Sequence, residues 1–363
     1  MRALVAPDKF KGSLSAAQAA DAIARGMRAA GAGTDICPVA DGGEGTLDAL
    51  VAAAGGSVMG VIARGPMGVP VRAHLGQLPD GTGVVELAQA SGLGLVPESE
   101  RDPMRATTYG TGELIKGALA RRPARLLIAI GGSATMDGGT GLARALGVRF
   151  YDADGKEVTP GGAGLERIAR IDASGLDTRL AGVPMIVAAD VTTTLPDAAR
   201  TFGPQKGATP AMIERLEGGQ GNLTRVIQRD MGVDVAGLPG AGAAGGAGAM
   251  LVALGAELRS GAQVVLDAVG FEQRLKDADL VVTGEGRLDD GTLADKAPLV
   301  VARAAAAAGV PCVALVGESA ILTEEFDEVR SLMEYFKGDR DEAMTRAAAG
   351  LQALGARLAS DRR

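Results

Sequence analysis

Apolar positions in the first 56 residues switch between two spacings. RALVA (2–6) is a short apolar run, followed by the polar, turn-rich DKFKGSLS. AAQAADAIARGMRAA (16–30) then places its apolar residues at helical intervals and stops at Gly31. TDICPVA, DGGEG and TLDALVAAA repeat the order strand, loop, helix and close at Gly55. A βαβα run of this kind predicts a parallel sheet whose loops lie at the carboxyl ends of its strands.

The pattern changes near Val58. VMGVIARGPMGVPVRAHLGQL and TGVVELA alternate apolar and polar positions and are broken by Gly and Pro, which predicts antiparallel strands. Helical spacing returns after Thr107, and RLLIAIGG and PMIVAAD read as buried strands ending in polar loops. DADLVVTGEG, an Ala-rich helix around Lys296 to Ala308, and VPCVALVG restore the parallel rhythm. The expected fold class is therefore α/β. Strands near Leu4, Ile36, Val281, Val313 and Val329 make a flavodoxin-like parallel-sheet domain from residues 1–63 and 272–363. A second, mixed α/β domain of residues 64–271 is inserted into it, and the active site is expected in the interdomain cleft.

With 363 residues, two domains are the natural expectation. The net charge of -7, with no block of Lys and Arg, disfavours nucleic-acid binding. Two cysteines, Cys37 and Cys312, support neither a disulfide framework nor a Cys-rich zinc site, and read as buried core thiols. The one histidine, His74, reads as a half-exposed strand residue. The apolar run at the start is too short for a signal peptide. Val235 to Ala256 is long and uncharged, but its Gly-Ala first half predicts a turn entering a buried helix rather than a membrane span. A cytoplasmic protein without membrane partners is expected, and homo-oligomerisation is left open.

Five strand ends carry Gly-punctuated polar loops: APDKFKGS, ADGGEGT, IGGSATMDGG, AADVTTT and TGEGRLDDGT. A sixth, FGPQKGAT (202–209), lies between strands. Carboxylates beside glycines at strand ends suit Mg²⁺ and phosphate chemistry, because glycine lets backbone N–H groups approach phosphate oxygens. Phosphoryl transfer needs positioning, charge neutralisation and a carboxylate to take the acceptor's proton. Lys11, Arg64, Lys206, Arg287 and Lys296 are the candidate cations. Asp41 and Glu44 serve almost equally well as caps for the helix beginning at Thr46, and Ser13 or Ser15 as a cap for the first helix. Asp137 reads as a turn residue. Asp190 ends an apolar run with no helix pattern directly behind it, which favours a site role. A dehydrogenase is disfavoured, since no G-x-G-x-x-G follows the first strand.

APDKFKGSLSA, ADGGEGT, GGSATMDGG, FGPQKGA, PGAGAAGG and TGEGRLD, in this order, resemble the type I glycerate kinase family over nearly the whole chain. The resemblance implies ATP-dependent phosphorylation of D-glycerate to 2-phosphoglycerate, with Mg²⁺. Under it, Asp190, Lys206, Asp8 and Lys11 are the expected catalytic residues, with Asp190 as base and Lys206 neutralising the transferring phosphoryl group. Arg64, Ser13, Arg287 and Asp289 are expected to bind substrate, Arg64 and Lys11 holding the glycerate carboxylate. Gly131, Gly132, Ser133, Thr135 and Lys296 are expected at the nucleotide. Glu285, Asp289, Asp41 and Glu44 are expected near the metal.

This chain departs from the family pattern at four places. Lys9 stands where Ser is usual, and Met136 replaces a common Asn. DVTTTLPDAART is altered after Asp190, and Asp295 replaces a common Gly. These departures leave two alternatives open: a kinase of the same fold for another small hydroxy acid, or a non-catalytic glycerate-binding regulator.

Overall fold

The computed structural model describes residues 1–290, 292, 296–321 and 323–362. The chain opens with β1 (Arg2–Val5) and β2 (Gly33–Ile36). Its middle supplies β3 (Ser57–Arg64), β4 (Pro70–Gln77), β5 (Thr82–Glu86) and β6 (Arg125–Ala129). There follow β7 (Arg149–Tyr151), β8 (Arg170–Asp172), β9 (Met185–Ala189) and β10 (Glu257–Ser260). The last part supplies β11 (Leu280–Thr283), β12 (Arg287–Leu288), β13 (Cys312–Val316), β14 (Glu318–Ser319) and β15 (Glu328–Ser331).

Packing divides the chain into two compact units. Unit 1 comprises Met1–Asp41, Asp48–Gly56 and Ser260–Arg363; unit 2 comprises Gly42–Leu47 and Ser57–Arg259. The strand β3, placed by the sequence pattern before the seam at residue 63, pairs along its whole length with β4 and so packs with the middle of the chain.

Unit 1 holds a five-stranded sheet in the order β15-β13-β11-β1-β2, with every pairing parallel. Counted along the chain this is the order 2-1-3-4-5, the flavodoxin-like winding, and its strands are the five expected near Leu4, Ile36, Val281, Val313 and Val329. The first helix, Ala16–Ala29, starts at Ser15 with a capping box. The Ser15 hydroxyl accepts from the Gln18 N–H, and the Gln18 side chain accepts from the Ser15 N–H. It packs against the last helix, Ala347–Asp361, at a very short separation. A Cβ on Gly26 would meet the backbone of Gln352, and one on Gly355 would meet the backbone of Ile23. Ile23, Met27, Leu351 and Leu358 join Val5, Val282, Val313 and Leu315 in this unit's core.

Unit 2 holds a six-stranded mixed sheet in the order β10-β9-β6-β5-β4-β3. The expected antiparallel strands are β3, β4 and β5, while β5, β6 and β9 run parallel. Val85, Ile128, Val187, Leu142 and Met250 lie in its core. The uncharged stretch 235–256 becomes a loop and a helix, Ala243–Ala253, buried over Ala243 to Leu251. Among the described residues, no helix is long and apolar enough to cross a membrane.

Cys37 and Cys312 are free and buried, and burial is the main cause that pushes each thiol up to about 12. His74 lies on β4 as expected, but is exposed rather than half-exposed, with Nδ1 3.3 Å from Gln89 Oε1.

Candidate active site

In unit 1 the carboxyl ends of the parallel strands surround a cavity of about 390 Å³. The pairing of β1 with β11 continues past both strands: the Ala6 N–H donates to Val282 O at 2.7 Å, and the Asp8 N–H to Gly284 O at 2.8 Å. This places Asp8 and Glu285 beside one another's strands at the point where the winding reverses, the usual ligand crevice of such sheets. Lys11, Ser13, Asp41 and Arg287 line the same cavity, as do Asp289 and Lys296. Eight of the expected site residues are thus brought together within this unit.

Acid and base interleave there. Asp8 is 4% exposed, and Glu285 is 7% exposed. Burial is the main cause that pushes the Asp8 carboxyl up to about 7; Lys9 opposes the rise, and Asp41 and Glu285 add to it. Burial likewise raises Glu285, against a 2.6 Å hydrogen bond from the Thr292 hydroxyl. Lys9 Nζ lies 3.4 Å from Asp41 Oδ1, so the lysine that departs from the family pattern forms an ion pair with a wall carboxylate. Asp289 lies 3.8 Å from Arg287 Nε and 3.9 Å from Lys296 Nζ. Among the described residues no group of three or more His, Cys, Asp or Glu converges as a metal cage. Hard carboxylate oxygens at Asp8, Asp41, Glu285 and Asp289 nonetheless fit Mg²⁺, which takes one or two carboxylates and shares phosphate oxygens and water.

In unit 2 a second cavity, of about 150 Å³, opens at the carboxyl ends of β6 and β9. Gly131, Gly132 and Ser133 from the loop after β6 line it with Asp190, the residue directly after β9, and with Lys206. Lys206 is 2% exposed. Its ammonium donates to Ser133 Oγ at 2.7 Å and to Thr135 O at 2.9 Å. Burial is the main cause that lowers Lys206 to about 7, and the nearby Asp137 charge partly restores it.

Asp137 does shape a turn, as expected, but from full burial. Its carboxylate accepts from the Thr107 hydroxyl, both the N–H and hydroxyl of Thr108, and the N–H groups of Gly139 and Gly141. It thereby ties the loop after β6 to the start of the helix Tyr109–Leu119.

Three expected residues line neither cavity. Arg64 makes an ion pair with Glu113 at 3.4 Å and stacks 4.3 Å from the Tyr109 ring. Glu44 is exposed on the loop before Thr46. Thr135 is fully buried behind the wall, and its hydroxyl has no hydrogen-bond partner among the described residues. Met136 is a buried core residue. Asp295 lies outside the described residues.

Sequence reasoning missed Glu86. At the end of β5 and 1% exposed, it accepts from the N–H groups of Gly45 and Leu47, each at 3.1 Å. It thus caps the helix Thr46–Ala54, the work that Asp41 and Glu44 were weighed for. Ala244 was missed too. It lines the unit 2 cavity at φ 53°, a strained value for a residue with a Cβ, next to Gly245 at 67° and Gly246 at 97°. A Cβ on Gly245 would meet the backbone of Thr135 and Met136, so PGAGAAGG is a close-approach motif against the loop after β6.

A larger cavity, of about 820 Å³, lies against the helices Gly261–Ala268, Phe271–Leu275 and Ala297–Ala307. None of the expected site residues lines it, and the two strand-end cavities are favoured on chemistry.

Residues 3–362 match the model of the glycerate kinase family. A glycerate kinase of Bacillus subtilis (strain 168) is 48% identical over 324 residues, 87% of this chain and 85% of that protein. A glycerate 2-kinase of Escherichia coli (strain K12) is 46% identical over the same coverage. A crystal structure described as a candidate glycerate kinase 2 from Salmonella typhimurium LT2 superimposes with a TM-score of 0.88 at 43% identity, covering 100% of this chain and 98% of that one.

Proposed function

The chain belongs to the glycerate kinase family, and from that premise we propose that it transfers the terminal phosphoryl group of ATP to the 2-hydroxyl of D-glycerate, giving 2-phosphoglycerate. It is a kinase acting on an alcohol group. The observation that supports the finer reading is the pairing of Asp190 with Lys206 in one small cavity. A carboxylate and a desolvated amine at the wall of one crevice are what transfer to a hydroxyl requires.

Asp190 takes the proton of the attacking hydroxyl. Lys206, poised near its titration midpoint by burial, gains its full charge when anionic oxygens arrive and stabilises them. Lys11, Arg287 and Lys296 supply positive charge to phosphate or carboxylate oxygens in the unit 1 cavity. Ser13, whose hydroxyl is 3.1 Å from Phe10 O, is placed to bind a substrate oxygen there. Glu285 and Asp289 would hold Mg²⁺ with Asp41, and the ion would neutralise phosphate charge. Gly131, Gly132 and Ser133 offer backbone and hydroxyl groups to oxygens. A cytoplasmic setting supplies ATP.

A coupled ADP-release assay across D-glycerate, L-glycerate, tartronate and longer hydroxy acids tests the substrate. D-Glycerate is expected to give the highest kcat/KM. A wide preference for another acid would favour a kinase of the same fold with a different acceptor. Tight D-glycerate binding without MgATP-dependent product would favour a regulator.

A further inference from the structure

The loop that Glu86 grips also bears on the wall of the unit 2 cavity. β5 and β6 are parallel neighbours with Glu86 opposite Ala129, and the Leu87 N–H donates to Ala129 O at 2.8 Å. From Ala129 the chain runs through Ile130 to Gly131, Gly132 and Ser133, all of which line the cavity. The segment Gly42–Leu47 packs within the same unit and is fastened at both of these strand ends.

At the β5 end each oxygen of the Glu86 carboxylate serves one donor: Oε1 accepts from the Gly45 N–H and Oε2 from the Leu47 N–H. Backbone bonds to a carboxylate are charge-assisted and stronger than neutral ones. Thr46, held between those two donors, is fully buried and donates from its hydroxyl to Gly43 O at 2.7 Å. The hold is thereby passed along the segment to Gly43. At the β6 end Gly42 O accepts from the Gly131 N–H at 3.0 Å. A Cβ on Gly131 would come 2.6 Å from Gly43 Cα, so the two backbones are in direct contact there. The opposite side of the wall is held by neutral bonds, from the Leu93 N–H to Gly132 O and from the Ala134 N–H to Ser91 O.

We infer that Glu86 is a positioning residue for this wall: it acts through the segment Gly42–Leu47 on Gly131, and so fixes where Gly132 and Ser133 stand. The consequence for turnover rests on the kinase reading, whereas the hold on the wall does not. Glu86→Gln keeps the size of the side chain and one acceptor oxygen, but sets an amide NH₂ against a backbone N–H, so one of the two bonds is lost. A displacement of about 1 Å at a reacting site costs up to about 10²-fold in rate.

The test compares Glu86→Gln and Gly131→Ala, singly and together, with the unsubstituted protein. Amide hydrogen exchange reads the peptides covering 42–47 and 128–134, with the helix Ala16–Ala29 as reference. ADP release with D-glycerate and MgATP reads turnover well below the Tm of each variant. Glu86→Gln is expected to speed exchange in both peptides by about tenfold, with the reference helix unchanged. It is expected to lower kcat by about 10–100-fold. Both substitutions disturb one contact, so the double variant is expected to fall no more than about threefold below the poorer single variant, where independent effects would multiply. Should Glu86→Gln not fold, Glu86→Asp, which keeps the charge and shortens the reach, takes its place with the same readings. Unchanged exchange in 128–134 overturns the inference, and so does faster exchange there with an unchanged kcat or with losses that multiply. If the unsubstituted protein phosphorylates no hydroxy acid, the kinase reading fails, and exchange in 128–134 alone decides whether Glu86 holds the wall.

Discussion

At the residue scale, what a side chain does here depends on partners distant in sequence. Asp190 stood out in the sequence because a carboxylate ending an apolar run, with no helix pattern directly behind it, has few structural uses, and it lines the unit 2 cavity with Lys206. Asp190→Asn is expected to lower kcat by about 10²–10⁴-fold with little change in Tm, the usual range for removing a general base. Near-normal turnover in that variant would exclude Asp190 as base. Lys206 was legible as a cation between two glycines, but not its burial, which Ser133 and the Thr135 carbonyl impose. Its folded value of about 7 lies below the ordinary 10.5. The unfolded chain therefore holds the proton more tightly than the folded one. The destabilisation is full below pH 7 and fades as pH rises toward 10.5. Lys206→Met is thus expected to gain most over the parent at pH 6, by roughly a few kcal/mol, and to lose that advantage by pH 10. Urea unfolding of both proteins at several pH values measures this. An advantage that grows with pH would contradict the burial. Arg64 stood out as a lone cation at a strand end, and the partners it has in the structure, Glu113 and Tyr109, lie 49 and 45 positions further on.

At the element scale, β1, β11 and β13 of the unit 1 sheet were readable because each is a short apolar run ended by a Gly- or Pro-marked loop. The capping boundary at Ser15 was readable for a similar reason, since a cap and its Gln partner are three residues apart. The support of the loops was not, because it is made by residues remote in sequence. Glu86 lies 41 residues from Gly45, and alternation alone gives TGVVELA no reason to hold a second loop in place. Glu86→Gln is expected to weaken two bonds to backbone N–H groups and cost about 1–3 kcal/mol. Chemical denaturation reads that loss, and an unchanged midpoint would remove Glu86 as the cap. Helix contact gives a second case. Gly26→Val forces a side chain into the backbone of the facing helix at Gln352 and is expected to destabilise by about 1–3 kcal/mol. A Tm equal to the parent's would show that the two helices are not so close.

At the scale of the whole molecule, order along the chain was informative because βαβα spacing and strand-end loops each imply a parallel sheet. The 2-1-3-4-5 winding then explains why Asp8 and Glu285, far apart in sequence, border one cavity. What the sequence could not supply was the difference between a larger, charge-rich cavity in unit 1 and a smaller one in unit 2 lined by an amine and a carboxylate, since cavity size is a property of packing. Membership of the glycerate kinase family follows from the match over residues 3–362, and the position of the new phosphate is the point on which the account depends. The most direct test is to incubate the protein with D-glycerate and MgATP and identify the product by phosphorus and proton NMR. The account predicts 2-phosphoglycerate. A product carrying phosphate on the 3-hydroxyl, or no phosphorylated product, would contradict it.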